Sequence, residues 1–281
     1  MTLMVFDGQF VQALYDARGG DTLLVTFNEM ESFANGRNYW GQAAATNLNM
    51  SCVGIMTKAK NWFPSVEMNH IVPAIADMIK QYQHVVAYGF SQGGYAAIKY
   101  SMKIAATHVL AFSPQWTIDP KFTKEFDCRF SAHFDGNVHN EMHIMATDIS
   151  GNVWIFVDPY ETADFTHAKI IEKQVGYKCI IPCYNLGHGT VRAIASTNAL
   201  ARVLAECKLS NPTKSSMVRI IREQKKGTFA YYHALGQHML HRHHLAVANE
   251  LFRRACAINP NHPYLPAWEK AVTTASAVGY T

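Results

Sequence analysis

The chain has 281 residues, 49% hydrophobic and 16% charged, with a net charge of +4 when histidine is counted neutral. That length suits one large α/β domain or a mid-sized domain with an appendage, and the composition is enough for a real core. The mild charge, with no basic stripe interleaved with aromatics, argues against binding nucleic acid or an anionic membrane, and no run approaches the roughly 18 apolar residues of a membrane span.

In chain order, Met1–Asp21 lacks a basic start and a sustained apolar run and carries Asp7 and Asp16, so it does not read as a secretory signal. Thr22–Phe27 (TLLVTF) and Cys52–Thr57 (CVGIMT) read as buried strands, and Val66–Gln81 has helical periodicity. His84–Gly89 (HVVAYG) is a predicted strand, Gly93–Met102 a helix, and His108–Phe112 (HVLAF) a strand ending at Ser113-Pro114. Asn152–Val157 (NVWIFV) is a strand, His167–Gln174 a helix, Lys178–Cys183 (KCIIPC) a strand, and Thr190–Cys207 one helix. Short apolar runs alternating with helices predict an α/β fold, with a mostly parallel sheet and helices on both faces. Two stretches break the alternation, Asn28–Asn49 and Gln115–Ser150, and both read as walls or lids over a site. Asn211–Lys214 reads as a linker, and Ser215–Ser276 is helical by pattern. The expected division is an α/β domain over 1–210 and a small all-α tail over 215–281.

Cys52, Cys128, Cys179, Cys183, Cys207 and Cys256 are scattered through the chain, which fits reduced thiols in a cytoplasm. Cys179 and Cys183 have no zinc spacing without further partners.

Gly89-Phe90-Ser91-Gln92-Gly93-Gly94 matches G-x-S-x-G between a predicted strand and a predicted helix. A nucleophile there sits on a sharp turn, and flanking glycines leave room where strand and helix converge. The Gln92 amide, opening a helix, can stabilise an oxyanion. The competing reading is a glycine-rich turn with an incidental serine.

A triad of this kind runs Ser, Asp/Glu, His along the chain. His188, between Gly187 and Gly189 in the loop after the last predicted strand, is the expected general base. Asp158 and Asp164 compete as the acid after Asn152–Val157. Asp158 could simply open the turn before Pro159, and Asp164 could simply cap a helix. Asp164, a few residues beyond the strand, has the easier reach; Glu161 is a third candidate. The second oxyanion donor should follow Thr22–Phe27, at Asn28 or Glu29, although no glycine run is present there.

GFSQGGYAA, VLAFSPQ, DPYETADFTHA and the GHGT loop make residues 20–207 resemble the α/β-hydrolase superfamily, and within it a bacterial branch of small serine hydrolases or esterases near polysaccharide and surface-glycan functions. The resemblance implies ester, thioester or amide cleavage, or acyl transfer, through an acyl-serine. It implies no metal and no organic cofactor. The expected substrate is a small-molecule or glycan acyl ester. The rivals are an acyltransferase using the same residues and a non-catalytic hydrolase-fold binding module.

The tail carries Tyr232-x2-Leu235-Gly236, Ala248-x3-Phe252-x2-Ala255 and Pro260, similar to one tetratricopeptide repeat, with Tyr232 in place of the usual Trp and Met239 in place of the Tyr. Met217–Glu223 and Pro263–Ala277 would flank it as extra helices. It reads as a docking surface for a protein partner or for self-association, or as a cap on the hydrolase domain. His233, His238, His241, His243 and His244 read as a solvated helix face, and His133, His139 and His143, with Asp135 and Glu141, as a polar lid more readily than a metal site. Asp127 and Arg129 could hold a substrate carboxylate, phosphate or sugar, or form an internal salt bridge. Phe33, Tyr39, Trp40, Trp62, Phe63 and Trp116 fall near the predicted mouth and suit substrate contact or core packing.

Overall fold

The computed structural model of the protein describes residues 2–261. In chain order the main elements are β1 (Thr2–Asp7), β2 (Val11–Asp16), β3 (Thr22–Phe27), α1 (Gln42–Asn47), β4 (Ser51–Thr57), α2 (Ser65–Ile79), β5 (His84–Phe90) and α3 (Gln92–Lys99). They continue as β6 (His108–Phe112), the short α4 (Pro120–Thr123), β7 (Asn152–Val157), α5 (Thr162–Val175), β8 (Ile180–Pro182) and α6 (Thr197–Cys207). Three helices close the described chain: α7 (Lys214–Lys225), α8 (Phe229–His241) and α9 (Leu245–Ile258).

Eight strands form one sheet in the order β1-β2-β4-β3-β5-β6-β7-β8. The pairs β1–β2 and β2–β4 are antiparallel and all later pairs parallel. This is the mostly parallel, two-face-covered α/β architecture expected of an α/β-hydrolase, with a helical C-terminal part. Among the described residues, no helix is long and apolar enough to cross a membrane.

The alternation of side chains along a strand divides the core in two. Leu23, Val25 and Phe27 of β3, Val85 and Ala87 of β5, and Val109 and Ala111 of β6 pack with α2, α3 and α5 on one face. Leu24, Val86, Tyr88, Leu110 and Phe112 point the other way, onto α1, α6 and α7. Burial on both faces is why these strands read as unbroken apolar runs.

Sequence reading did not assign the β1–β2 hairpin. Its strand β1 is a half-exposed edge with an irregularity between Met4 and Phe6. Its turn is fastened from α2: the buried Glu67 carboxylate accepts from the amides of Gln9, Phe10 (2.8 Å) and Val11 (2.8 Å). Gly8 leaves room for that carboxylate, which would lie 2.6 Å from a Cβ there.

The single helix expected over Thr190–Cys207 is two elements. A 3-10 turn runs over Thr190–Ile194, then Ser196 caps α6 by accepting from the Ala199 amide at 3.1 Å. Asp164 does not cap α5; Glu161 holds the cap position and Asp164 lies in the first turn.

Beyond the expected linker, α7 buries Met217, Ile220 and Ile221 in the same cluster as α6. Helices α8 and α9 pack on each other, and a Cβ on Gly236 would come within 2.8 Å of the Phe252 ring. The flanking helix expected over Pro263–Ala277 lies outside the described residues.

Candidate active site

At the carboxyl end of β5 the chain turns sharply into α3. Ser91 occupies the turn with φ 54° and ψ −120°, a strained conformation for a residue with a Cβ. Its amide donates to Phe112 O of β6 at 2.9 Å. The glycines are sterically required. A Cβ on Gly89 would stand 2.1 Å from Gly93 O, and one on Gly93 2.2 Å from Phe27 O. The helix start is thereby pressed against the end of β3, and the amide of Gln92, first in α3, has no acceptor in its own helix.

His188 reaches this turn from the loop after β8. Its Nε2 lies 3.1 Å from Ser91 Oγ and its Nδ1 2.6 Å from Asp164 Oδ2. Asp158 does not touch the imidazole. Its Oδ2 accepts from the amides of Leu186 (2.8 Å) and Gly187 (2.9 Å), and its Oδ1 from Tyr160 (3.0 Å). The two aspartates that competed in the sequence are thus divided by geometry: one meets the ring, the other holds the backbone that carries it. The Glu161 side chain bonds to neither the ring nor the loop amides, and the residue stands at the cap of α5.

Further contacts fix the same loop. Ser113 Oγ donates to His188 O at 2.7 Å, and Thr190 Oγ1 donates to Phe156 O at 3.1 Å. The rings of Phe90 and Phe130 flank the imidazole at 5.2 and 6.2 Å. Sequence reasoning assigned no role to Ser113 or Thr190, although Ser113 directly follows β6 and Thr190 closes the GHGT loop.

Asp164 is buried and its side chain bonds on both oxygens. Arg129 Nη2 donates to Oδ1 at 2.5 Å. Burial alone would raise its pKa, but the bonds from His188 and Arg129 hold it below the usual carboxylate value. Arg129 also grips the buried Asp127, Nε to Oδ1 at 2.9 Å and Nη2 to Oδ2 at 2.8 Å. Behind Asp127 stands His167, 3.1 Å away through Nε2. The Trp116 amide donates to His167 Nδ1 at 3.0 Å, so Nδ1 carries no proton and Nε2–H is the donor to Asp127. Of the two readings of Asp127 and Arg129, the structure contains the internal salt bridge, with the Nε–Nη2 edge of Arg129 on the Asp127 carboxylate. No sequence signal linked His167 to Asp127, 40 residues away.

The turn after β3 is built on the Asn28 side chain. Its Nδ2 donates to Glu29 O (2.8 Å), Ser32 O (2.6 Å) and Thr57 Oγ1 (2.8 Å), and its Oδ1 accepts from the Thr57 amide at 2.7 Å. Gln92 Nε2 donates to the same Thr57 hydroxyl at 3.1 Å. Thr57 therefore ties the turn after β3 to the first residue of α3.

The aromatics expected at the mouth are mostly structural. Tyr39, Trp62 and Phe63 are buried. Trp40 packs on Tyr88, 4.7 Å between centroids, in the cluster on the far face. Trp116 Nε1 donates to Ile144 O within the lid. Phe33 is the exposed one of the six. His139 is locked too: its Nδ1 accepts from the Asp135 amide and its Nε2 lies 2.8 Å from Asn61 O. Among the described residues, no three His, Cys, Asp or Glu side chains converge as a metal site would require. A cavity of about 340 Å³ lined by Gly19, Thr22, Leu48, Met50, Leu204 and Lys208 lies at the opposite, amino-terminal end of β3, away from Ser91.

No family model and no curated protein matches the chain. Solved structures share its fold. The capsule O-acetyltransferase of Neisseria meningitidis serogroup A aligns with 71% of this chain and 92% of its own at 14% identity and TM-score 0.50. A chain of the Glycosylation Associate Protein (Gap123) complex from Streptococcus agalactiae aligns with 75% of this chain at 15% identity and TM-score 0.54, over 48% of its own length. A candidate thioesterase from Silicibacter sp. TM1040 aligns with 68% of this chain and 78% of its own at 15% identity and TM-score 0.50.

Proposed function

We propose that the protein is a serine acyl hydrolase acting through an acyl-serine intermediate. The observation that carries this is the continuous chain Ser91 Oγ–His188–Asp164, at 3.1 and 2.6 Å, on a strained strand-to-helix turn. Ser91 Oγ attacks the acyl carbonyl carbon while His188 Nε2 takes the hydroxyl proton. Asp164 orients the ring and stabilises the imidazolium. The oxyanion is held by the Gln92 amide and one amide of the turn at Asn28, which Thr57 keeps in register. His188 then returns the proton to the leaving oxygen, nitrogen or sulfur, leaving acyl-Ser91. Water, deprotonated by the same imidazole, releases the acid.

An acceptor hydroxyl can replace water in the last step without any change of residues, so acyl transfer is the companion reading. Acylated glycans are the substrate class we favour. The six cysteines are all unpaired, four of them buried, which supports a reducing compartment such as the cytoplasm.

The test is hydrolysis of p-nitrophenyl acetate and butyrate, with product analysis in the presence and absence of a sugar acceptor. Ser91→Ala and His188→Ala should each lower kcat by about 10³-fold or more while the protein stays folded. No turnover by the wild type, together with no labelling of Ser91 by a fluorophosphonate, would refute the reading.

A further inference from the structure

We propose that Arg129 is a positioning residue of this site, holding Asp164 by the carboxylate oxygen that His188 does not use and, with Asp127 behind it, setting how readily the imidazole of His188 takes a proton. The inference rests on the reading of Ser91, His188 and Asp164 as one catalytic chain, and it adds a second layer to it. The geometry is specific. One guanidinium makes two bonds to Asp127 and one to Asp164, and the Arg129 amide adds a fourth contact to Asp127 Oδ1 at 3.0 Å. Its Cζ lies 5.0 Å from the centroid of the Phe130 ring, which in turn packs against His188. The arginine is partly exposed but both carboxylates are buried, so this is not an ordinary surface pair.

The charges explain the consequence. Asp164 alone would present a full negative charge to the imidazole at 2.6 Å and favour a resident imidazolium, which cannot act as a base. Arg129 offsets part of that charge. Asp127 in turn offsets part of Arg129, and His167, held as the Nε2–H tautomer, donates to Asp127 without adding charge. The other charged groups near the histidine loop are Asp158 on the Leu186 and Gly187 amides, Glu161 beside Gly187, Arg192 whose guanidinium lies beside Gly189, and Lys225, which donates to Tyr184 O at 2.7 Å. None of them bonds to Asp164 or to the ring.

The test is an NMR titration of the imidazole resonances of the full-length protein, with the His188 signal assigned by its absence in His188→Gln. Removing the cation in Arg129→Met should move the His188 midpoint up by about one pH unit, and removing the anion in Asp127→Asn should move it down. Arg129→Lys keeps the charge, so its midpoint should stay near the wild-type value and it should recover most of the activity that Arg129→Met loses. A tether that merely anchors the lid would lower kcat evenly across pH and leave both midpoints where they were; that result overturns the proposal. Should Arg129→Met fail to fold, an unmoved midpoint in Asp127→Asn overturns it equally. A wild type without esterase turnover would sink the proposed function, while the titration would still decide for or against Arg129.

Discussion

Asp158 and Asp164 are chemically the same side chain on the same β7–α5 connection, and their surroundings give them different work. Asp164 meets the ring of His188, so Asp164→Asn should misorient the imidazole and place the wrong tautomer toward Ser91, lowering kcat by about 10⁴-fold. Asp158 holds two amides of the histidine loop, so Asp158→Asn, which turns an amide donor toward those amides, should loosen the loop and cost a smaller factor, about 10- to 100-fold. Steady-state kinetics on the two variants side by side checks the ranking; equal losses would contradict the division of roles. The same network bears on acid stability. Burial alone would raise the pKa values of Asp127 and Asp164, yet bonds to Arg129, His167 and His188 hold both below the ordinary carboxylate value of 3.8. The unfolded chain therefore binds protons that the native state refuses. The stabilisation is complete well above pH 4 and is lost as pH falls through the unfolded and then the native values. Urea unfolding of wild type and Asp127→Asn between pH 7 and 3 should give a shallower decline for the variant.

At the scale of elements, the turn between β5 and α3 rests on glycines that nothing else can replace. A methyl on Gly89 meets Gly93 O at 2.1 Å, backbone against backbone, so Gly89→Ala should destabilise by about 2–3 kcal/mol in urea titration and displace Ser91. This is also why that turn was legible in the sequence: the motif records a steric demand between residues four apart. The central strands were legible because burial on both faces leaves uninterrupted apolar runs, as in HVLAF of β6. The β1–β2 hairpin was not, because its turn is stabilised by Glu67, more than fifty residues away, and local turn chemistry does not reveal it. The 3-10 turn before α6 was missed because Thr190–Cys207 carries an almost unbroken apolar rhythm across the cap at Ser196. The Arg129–Asp127–His167 layer was half legible. Asp127 and Arg129 were visible as a local pair, but their distant partners Asp164 and His167 come together only when the lid folds over α5.

Across the whole molecule, the helical tail and the α/β sheet share one core at their junction. Helix α7 begins at Lys214, the last residue of the Asn211–Lys214 segment that reads as a linker, with Thr213 as its cap, and sends Met217, Ile220 and Ile221 into the cluster that α6 and the sheet build. At its other end Lys225, also buried, donates to Tyr184 O in the loop that leads to His188, and lies 4.7 Å from the Tyr231 ring of α8. Farther along, Tyr160 stacks on His238 of α8 at 6.1 Å. The tail therefore touches both connections that carry the site, through a ring contact after β7 and a hydrogen bond after β8. Two consequences separate here. Ile221→Ala should cost about 2–4 kcal/mol in global stability, as for any buried isoleucine, with kcat preserved below the melting range. Lys225→Met keeps much of the apolar stem but removes the ammonium from Tyr184 O, so its effect should fall on the histidine loop instead: kcat down by about 3- to 10-fold with KM little changed. Chemical denaturation paired with kinetics on both variants distinguishes them. A tail that only caps the sheet would make the Lys225 variant lose stability without losing kcat, whereas a tail that also steadies the loop makes it lose kcat at nearly constant stability.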